Sequence, residues 1–236
     1  MSISRYLNGL KVNLWDLYFK VYNFFLFDSI CSFCKSFCLN GICNDCLKIF
    51  IDRARVTKLP SLVFEKTLGK VYFDNLIFIF NYEDFRDFMI LYKFGGRIDF
   101  VKYLSLFLSY DVFEGYDLYT FVPNHEGYSN FICVHYLSAK YGIRFVSFLD
   151  INPKNKKKQH LVEDRKERIS NVRDKFFVKG GMDKLLVKLV NGKVLIFDDI
   201  CTTGSTINEV SRVLKRINKD LRIDCLVICK AMTKLG

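Results

Sequence analysis

The apolar positions follow two different periods along the chain. Over residues 5–27, Leu7, Leu10, Leu14, Leu17, Tyr18, Val21 and Phe25 recur near helical spacing, with Arg5, Lys11, Asp16 and Lys20 between them. This predicts an amphipathic helix packed on the rest of the protein, a membrane-surface helix being the other use of such a face. Residues 62–64 and 70–73 flank Gly69 and predict a short hairpin. Residues 76–82 form an aromatic and β-branched run, predicting a strand. Asp84 then caps a helix reaching about residue 94, Gly95-Gly96 ends it, and a second amphipathic helix covers about 99–109.

Beyond residue 110 the pattern becomes an alternation. A strand over 117–122 is stopped by Pro123, a helix over 128–141 is closed by Gly142, and a strand follows over 144–149. After a polar stretch come a strand over 193–197, a helix over 206–218 and a strand over 222–229. Strands separated by helices predict a parallel sheet with crossover helices. The expected organisation is an N-terminal module over residues 1–75 and an α/β domain over 76–236. The stretch 150–180 lacks runs of Pro, Ser or Gly and is rich in Arg and Lys, which reads as an active-site loop rather than a linker.

Composition narrows the class. Half of the 236 residues are apolar and 26 % are charged, so a packed core is expected and global disorder is excluded. No apolar run approaches the roughly twenty residues of a membrane span, and no secretory leader pattern is present. The expected location is the cytoplasm, where nine cysteines point to metal before disulfides.

The net charge of +11 is unevenly spread. Residues 1–120 hold 14 basic and 13 acidic side chains, whereas residues 121–236 hold 22 and 12. The segment 154–179 alone has ten Lys or Arg against four Asp or Glu, so an anionic partner is expected there, a solvated basic loop being the bland alternative. Arg165, Lys166, Arg168 and Arg173 recur near helical spacing beside Glu163, Glu167 and Asp174. They fit either a salt-bridged exposed helix or a lid closing over phosphates.

The stretch 194–206, VLIFDDICTTGST, carries the most chemistry. Four apolar residues describe a buried parallel strand, and Asp198 and Asp199 stand at its carboxyl end, where α/β sheets place their ligands. Gly204 lets backbone approach a phosphate. Thr202, Thr203, Ser205 and Thr206 offer hydroxyls, and the following helix turns its N–H groups toward the anion. The carboxylates suit ribose hydroxyls, or a Mg²⁺ bridging to pyrophosphate.

A second cluster lies upstream. Cys31-x2-Cys34 and Cys43-x2-Cys46 are separated by eight residues, with Cys38 and the turn pair Asn40-Gly41 between them. Two such pairs aim four thiolates at one point, the arrangement for a closed structural Zn²⁺ site. An iron–sulfur cluster would use the same four ligands, and unligated thiols are the remaining alternative.

The stretch 194–206 resembles the 5-phosphoribosyl-1-pyrophosphate (PRPP) motif of type I phosphoribosyltransferases. The resemblance implies that Asp198 and Asp199 hold the ribose hydroxyls while Thr202, Thr203, Gly204, Ser205 and Thr206 hold the 5-phosphate. Cys201 stands where that family has an aliphatic residue. Together with the cysteine knuckle, nearly the whole chain resembles the ComF family, which is phosphoribosyltransferase-like and associated with competence for DNA uptake in bacteria. The matching residues are Tyr92-Lys93-Phe94-Gly95-Gly96-Arg97, Val122-Pro123, and then Gln159, Arg168, Asn171-Val172 and Phe176. After Val-Pro the family carries a basic loop leading to Arg-Gly-Phe-Asn-Gln. Here the loop shortens to Asn124-His125 and the counterpart reads Glu126-Gly127-Tyr128-Ser129-Asn130, replacing a positive charge by a negative one.

The resemblance implies an α/β fold, with a type I phosphoribosyltransferase-like parallel sheet flanked by helices and a small N-terminal zinc knuckle. It implies PRPP binding with Mg²⁺, phosphoribosyl transfer to an acceptor, and Pro123, Asn124, Arg165 and Arg168 as candidate pyrophosphate or lid contacts. The alternative is a competence accessory protein without catalysis that binds a nucleotide, single-stranded DNA or a DNA-translocating helicase.

Overall fold

The computed structural model describes residues 31, 34, 36–38, 42–94, 100–123, 129–153 and 172–231. The chain divides into two compact units, Met1–Arg53 and Ala54–Gly236. The helix expected over 5–27, the pair Gly95-Gly96 and residues 154–171 of the basic segment lie outside the described residues. In the first unit, a cysteine-bearing loop leads into helix α1 (Asn44–Arg53), with Asp45 in the first turn and Arg53 in the last. Both charges oppose the helix dipole favourably.

The second unit opens with strand β1 (Thr57–Pro60), a 3₁₀ turn (Ser61–Phe64) and the single helical turn α2 (Glu65–Leu68). Strand β2 (Asn75–Asn81), helices α3 (Tyr82–Phe94) and α4 (Phe100–Phe107), and strand β3 (Leu118–Phe121) follow. Next come α5 (Ser129–Tyr141), β4 (Leu149–Ile151), β5 (Phe176–Val178) and α6 (Asp183–Lys188). The chain then forms β6 (Lys193–Cys201), α7 (Ser205–Ile217) and β7 (Arg222–Lys230). The five-stranded sheet has the order β1-β2-β7-β6-β3. All its neighbours are parallel except the edge pair β1–β2, and β4 and β5 form a separate antiparallel ribbon.

The central strands are apolar at consecutive positions because both faces of the sheet are covered. Val194 and Ile196 of β6 join a core with Leu76, Phe78, Ile223, Cys225 and Val227, onto which α7 packs Ile207, Val210 and Leu214. The spacing of these three gives α7 its buried stripe, and each buried aliphatic side chain is worth about 1.5–3 kcal/mol. Phe148, Leu149 and Phe176 around the ribbon, and Leu186 of α6, complete that layer. The intervening Ile77, Ile79, Leu195, Phe197 and Leu226 are buried too. On the same sheet, Phe80 meets Phe85 of α3 at 4.1 Å and Phe107 of α4 at 5.3 Å between ring centroids.

The α/β class and the mostly parallel sheet agree with the alternation along the chain, while several local expectations are corrected. Residues 61–68 are helical rather than one arm of a hairpin, and the strand antiparallel to β2 is β1, from Thr57 opposite Phe78 to Pro60 opposite Asn75. Pro60 is tolerated there because it ends an edge strand. Of residues 144–149, Phe145 makes a single bridge to Tyr119, and ladder pairing starts only at Leu149. The stretch expected as loop contains β5, and β6 continues four residues past its expected end, taking both aspartates into the strand. Among the described residues no helix is long and apolar enough to cross a membrane.

Candidate ligand-binding site

The carboxyl end of β6 lies between its two parallel neighbours. Asp198 pairs in register with Val227 of β7. On the other side, the Val122 N–H donates to the Phe197 carbonyl at 2.9 Å and carries the β3 end level with the aspartates. Asp198 and Asp199 are buried, 5 % and 2 % exposed. Burying two carboxylates side by side demands donors, and the local backbone supplies some. The Asp199 N–H donates to Asp198 Oδ1 at 2.9 Å, and the Ile200 N–H donates to Asp199 Oδ1 at 2.7 Å. A further donor comes from α5, where Asn130 Nδ2 reaches Asp198 Oδ1 at 2.9 Å.

The turn after β6 passes through Gly204 at φ 82°, a conformation that costs an L-residue about 1–2 kcal/mol. Gly204 also holds the N-cap of α7 and has no side chain to cap it; the Ser205 N–H instead donates to Thr203 Oγ1 at 3.3 Å. The four hydroxyl residues expected around the glycine divide in two. Thr203 and Ser205 are buried and bond to each other at 3.0 Å, which shapes the turn. Thr202 and Thr206 are half-buried, and their side chains keep access to solvent.

Two buried lysines that sequence reasoning missed lie beside this turn. Lys230, the last residue of β7, donates to the Thr202 carbonyl at 3.2 Å and also bonds the Ala231 carbonyl. Lys175, just before β5, is 8 % exposed; burial pushes its pKa down, and the charge of Asp198 opposes that shift. Asn130 was missed likewise. It ends the Glu126-Gly127-Tyr128-Ser129-Asn130 counterpart of the family's loop motif, but nothing local announces its contact with Asp198, 68 residues away in sequence. Cys201 is buried, and desolvation pushes its thiol up to about 12, so it is an inert packing residue here.

Pro123 is half-buried at the exit of β3, while Asn124, Arg165 and Arg168 lie outside the described residues. A cavity of about 730 Å³ opens elsewhere, at the amino ends of β2, β6 and β7. Its polar groups are turned on one another: Lys58, Asn75 and Tyr116 all donate to Asp224, at 3.1, 2.7 and 2.8 Å. Strand polarity puts it at the opposite end of the sheet from the paired aspartates, so the candidate site is the turn after β6.

In the first unit, Cys31, Cys34, Cys43 and Cys46 bring their sulfurs within 4.8 Å of one another. Tetrahedral sulfurs at about 2.3 Å from a zinc ion would stand roughly 3.8 Å apart, so the donor set fits a metal ion of that kind. The Cys46 N–H points at Cys43 Sγ at 3.5 Å, a bond that stabilises a thiolate. Hydrogen bonds from Ser36 hold the Cys34 thiol down to about 6, whereas burial raises that of Cys46. Cys38 lies nearby in sequence but outside this set of four.

A mostly parallel sheet flanked by helices, with carboxylates and a glycine turn at the end of a central strand, defines an α/β protein with its candidate site at the carboxyl end of that sheet. No family model matches the chain. It is 31 % identical over 157 residues to the competence protein ComFC of Streptococcus pneumoniae (strain ATCC BAA-255 / R6), a match covering 64 % of this chain and 66 % of that protein. The chain belongs to the ComF family. It spans about two thirds of the length of that relative.

Proposed function

We propose that this chain binds PRPP together with Mg²⁺ at the turn after β6 and transfers its phosphoribosyl group to a nucleophile. The observation that carries the reading is the sequence of two buried carboxylates, a positive-φ glycine and the N-terminus of a 13-residue helix. In this reading Asp198 and Asp199 accept hydrogen bonds from the ribose hydroxyls. Gly204, the first N–H groups of α7 and the hydroxyls of Thr202 and Thr206 hold the 5-phosphate, while Thr203 and Ser205 keep the turn in shape.

Lys175 and Lys230 supply positive charge at the site, which matters because the loop after β3 carries Glu126 in place of a basic residue. Pro123 and Asn124, with Arg165 and Arg168, are the residues assigned to pyrophosphate or to closure over it. Mg²⁺ would neutralise charge on the pyrophosphate when bound. The protein's own contribution is to position the sugar and to stabilise charge as pyrophosphate departs from C1. The four cysteines hold a structural zinc ion that orders the first unit. Competence is the process in which we place the protein, on the strength of its relative.

Calorimetry with PRPP and Mg²⁺ tests the reading. Binding that is abolished by Asp198→Asn combined with Asp199→Asn is expected, and no detectable binding at millimolar PRPP would overturn it. A second reading, as an accessory that binds single-stranded DNA or a helicase, is favoured by the basic excess of residues 121–236. It requires DNA affinity that falls steeply with salt. DNA binding unchanged after neutralising the lysines and arginines of 154–173 would count against it.

A further inference from the structure

Asn130 is the second residue of α5 and is only 1 % exposed. Its Nδ2 donates at 3.0 Å to the Val122 carbonyl, just past β3, and at 2.9 Å to Asp198 Oδ1. Both partners are acceptors, so the amide can face only one way. One side chain therefore ties together the end of β3, the start of α5 and a carboxylate at the end of β6. Asp198 Oδ1 also takes the Asp199 N–H at 2.9 Å. Two donors on one oxygen fix the rotation of the carboxylate and so the direction in which its other oxygen is presented. The Asn130 Oδ1 is buried and has no hydrogen-bond partner among the described residues. A buried acceptor left in that state is costly, and a hydroxyl donor from a bound molecule relieves it.

We propose that Asn130 is a specificity residue for a sugar hydroxyl: its Nδ2 locks Asp198 in orientation, and its Oδ1 is a second acceptor for the same ligand. This rests on the phosphoribosyl reading of the site and adds to it the group that distinguishes a ribose from a bare phosphate. Neighbouring donors and acceptors, held rigidly, suit a diol and are indifferent to an anion alone.

The test compares ribose 5-phosphate with inorganic phosphate as calorimetric ligands of the full chain. Asn130→Ala is expected to weaken ribose 5-phosphate binding roughly ten- to a hundredfold, as loss of a hydrogen bond to a charged group does, and to leave phosphate affinity unchanged. Asn130→Leu, which keeps the volume and removes donor and acceptor without adding charge, is expected to do the same. In an Asp198→Asn background, Asn130→Ala is expected to add little, because the two residues act as one unit. Equal weakening of both ligands, or unchanged ribose 5-phosphate binding, overturns the proposal while the phosphoribosyl reading stands. Failure of both Asn130 variants to fold, read by circular dichroism, overturns it too by making the residue purely structural. If the unaltered chain binds phosphate but shows no preference for ribose 5-phosphate, the phosphoribosyl reading fails and takes this inference with it.

Discussion

The Lys230 ammonium donates to the Thr202 carbonyl oxygen at 3.2 Å, joining the last residue of β7 to the first residue of the turn after β6. The same ammonium bonds the Ala231 carbonyl, and the Phe64 ring lies 5.7 Å away. A cation 7 % exposed is thus held beneath the turn by backbone oxygens. Lys230→Met keeps the length of the side chain and removes the donor. We expect a loss of about 1.5–3 kcal/mol in urea unfolding, the range for a charge-assisted hydrogen bond. The midpoint should fall with the slope unchanged. Phosphate affinity should fall with it, and a variant as stable as the parent would show that the bond is idle.

Gly204 combines a positive φ of 82° with close packing, since a Cβ there would sit 3.0 Å from Phe64 Cδ1. Gly142 has a similar φ of 67° with nothing within 4 Å of such a Cβ. Both alanine variants should lose about 1–2 kcal/mol from backbone strain, and Gly204→Ala should lose more because the ring must move. Thermal unfolding of the pair separates the two costs. Equal losses would mean that Phe64 yields freely.

The legible parts of this chain are those whose signal is local. The continuous apolar run of β6 announces a strand buried on both faces, and two adjacent aspartates before a glycine announce where that strand meets solvent-side chemistry. The cysteine spacing likewise predicts that four sulfurs converge, as they do. The short ribbon strand β5 went unread because three residues between charged neighbours carry no period. The apolar run 62–64 looks like a strand, yet it follows Pro60 and Ser61 in a 3₁₀ turn, and only Phe64 of the three is buried. The contacts of Asn130, Lys175 and Lys230 join residues far apart in sequence, and no spacing rule reaches that far.

Arg212 of α7 clamps the segment that leads to Lys175. It donates to both Glu209 carboxylate oxygens, at 2.7 and 2.6 Å, and to Asp174 Oδ1 at 2.7 Å. The Asp174 N–H in turn donates to Glu209 Oε1 at 2.8 Å, with Asp174 at φ 56°. Glu209 is 7 % exposed, so Arg212→Met leaves a buried carboxylate without its main counter-charge. About 3–5 kcal/mol of destabilisation is expected, as for other broken buried pairs. Glu209→Gln combined with Arg212→Met should recover a good part of it. A double variant no better than the single one would show that the pair is not coupled.

Lys175 sets stability against function. Burial lowers its pKa in the folded state, and the carboxylate of Asp198 holds the shift back. A depressed lysine pKa means that the folded chain binds the proton less tightly than the unfolded chain. Stability therefore rises with pH from the folded pKa up to the ordinary lysine value of 10.5. Lys175→Met removes that penalty. The variant should be more stable than the parent at pH 7, and the gap should narrow as pH climbs toward 10.5. It should also bind phosphate less well. A gap that is constant with pH would locate the effect in packing instead.

The cysteine cluster makes the sharpest claim about the first unit. Three features favour a metal there: sulfurs within 4.8 Å, an N–H aimed at Cys43, and a Cys34 thiol held down to about 6. Metal elsewhere would not need this convergence. We expect elemental analysis of the purified chain to find zinc in equal ratio with protein. Cys43→Ser should lower the ratio sharply, because three thiolates and a hydroxyl bind zinc far less tightly than four thiolates. Since ligation displaces protons, zinc should be retained near neutral pH and released on acidification. Chelation should cost the helicity of α1 while leaving the unfolding transition of residues 54–236 in place. Iron in place of zinc would reassign the site to a cluster, and a folded first unit without any metal would reduce it to four packed thiols.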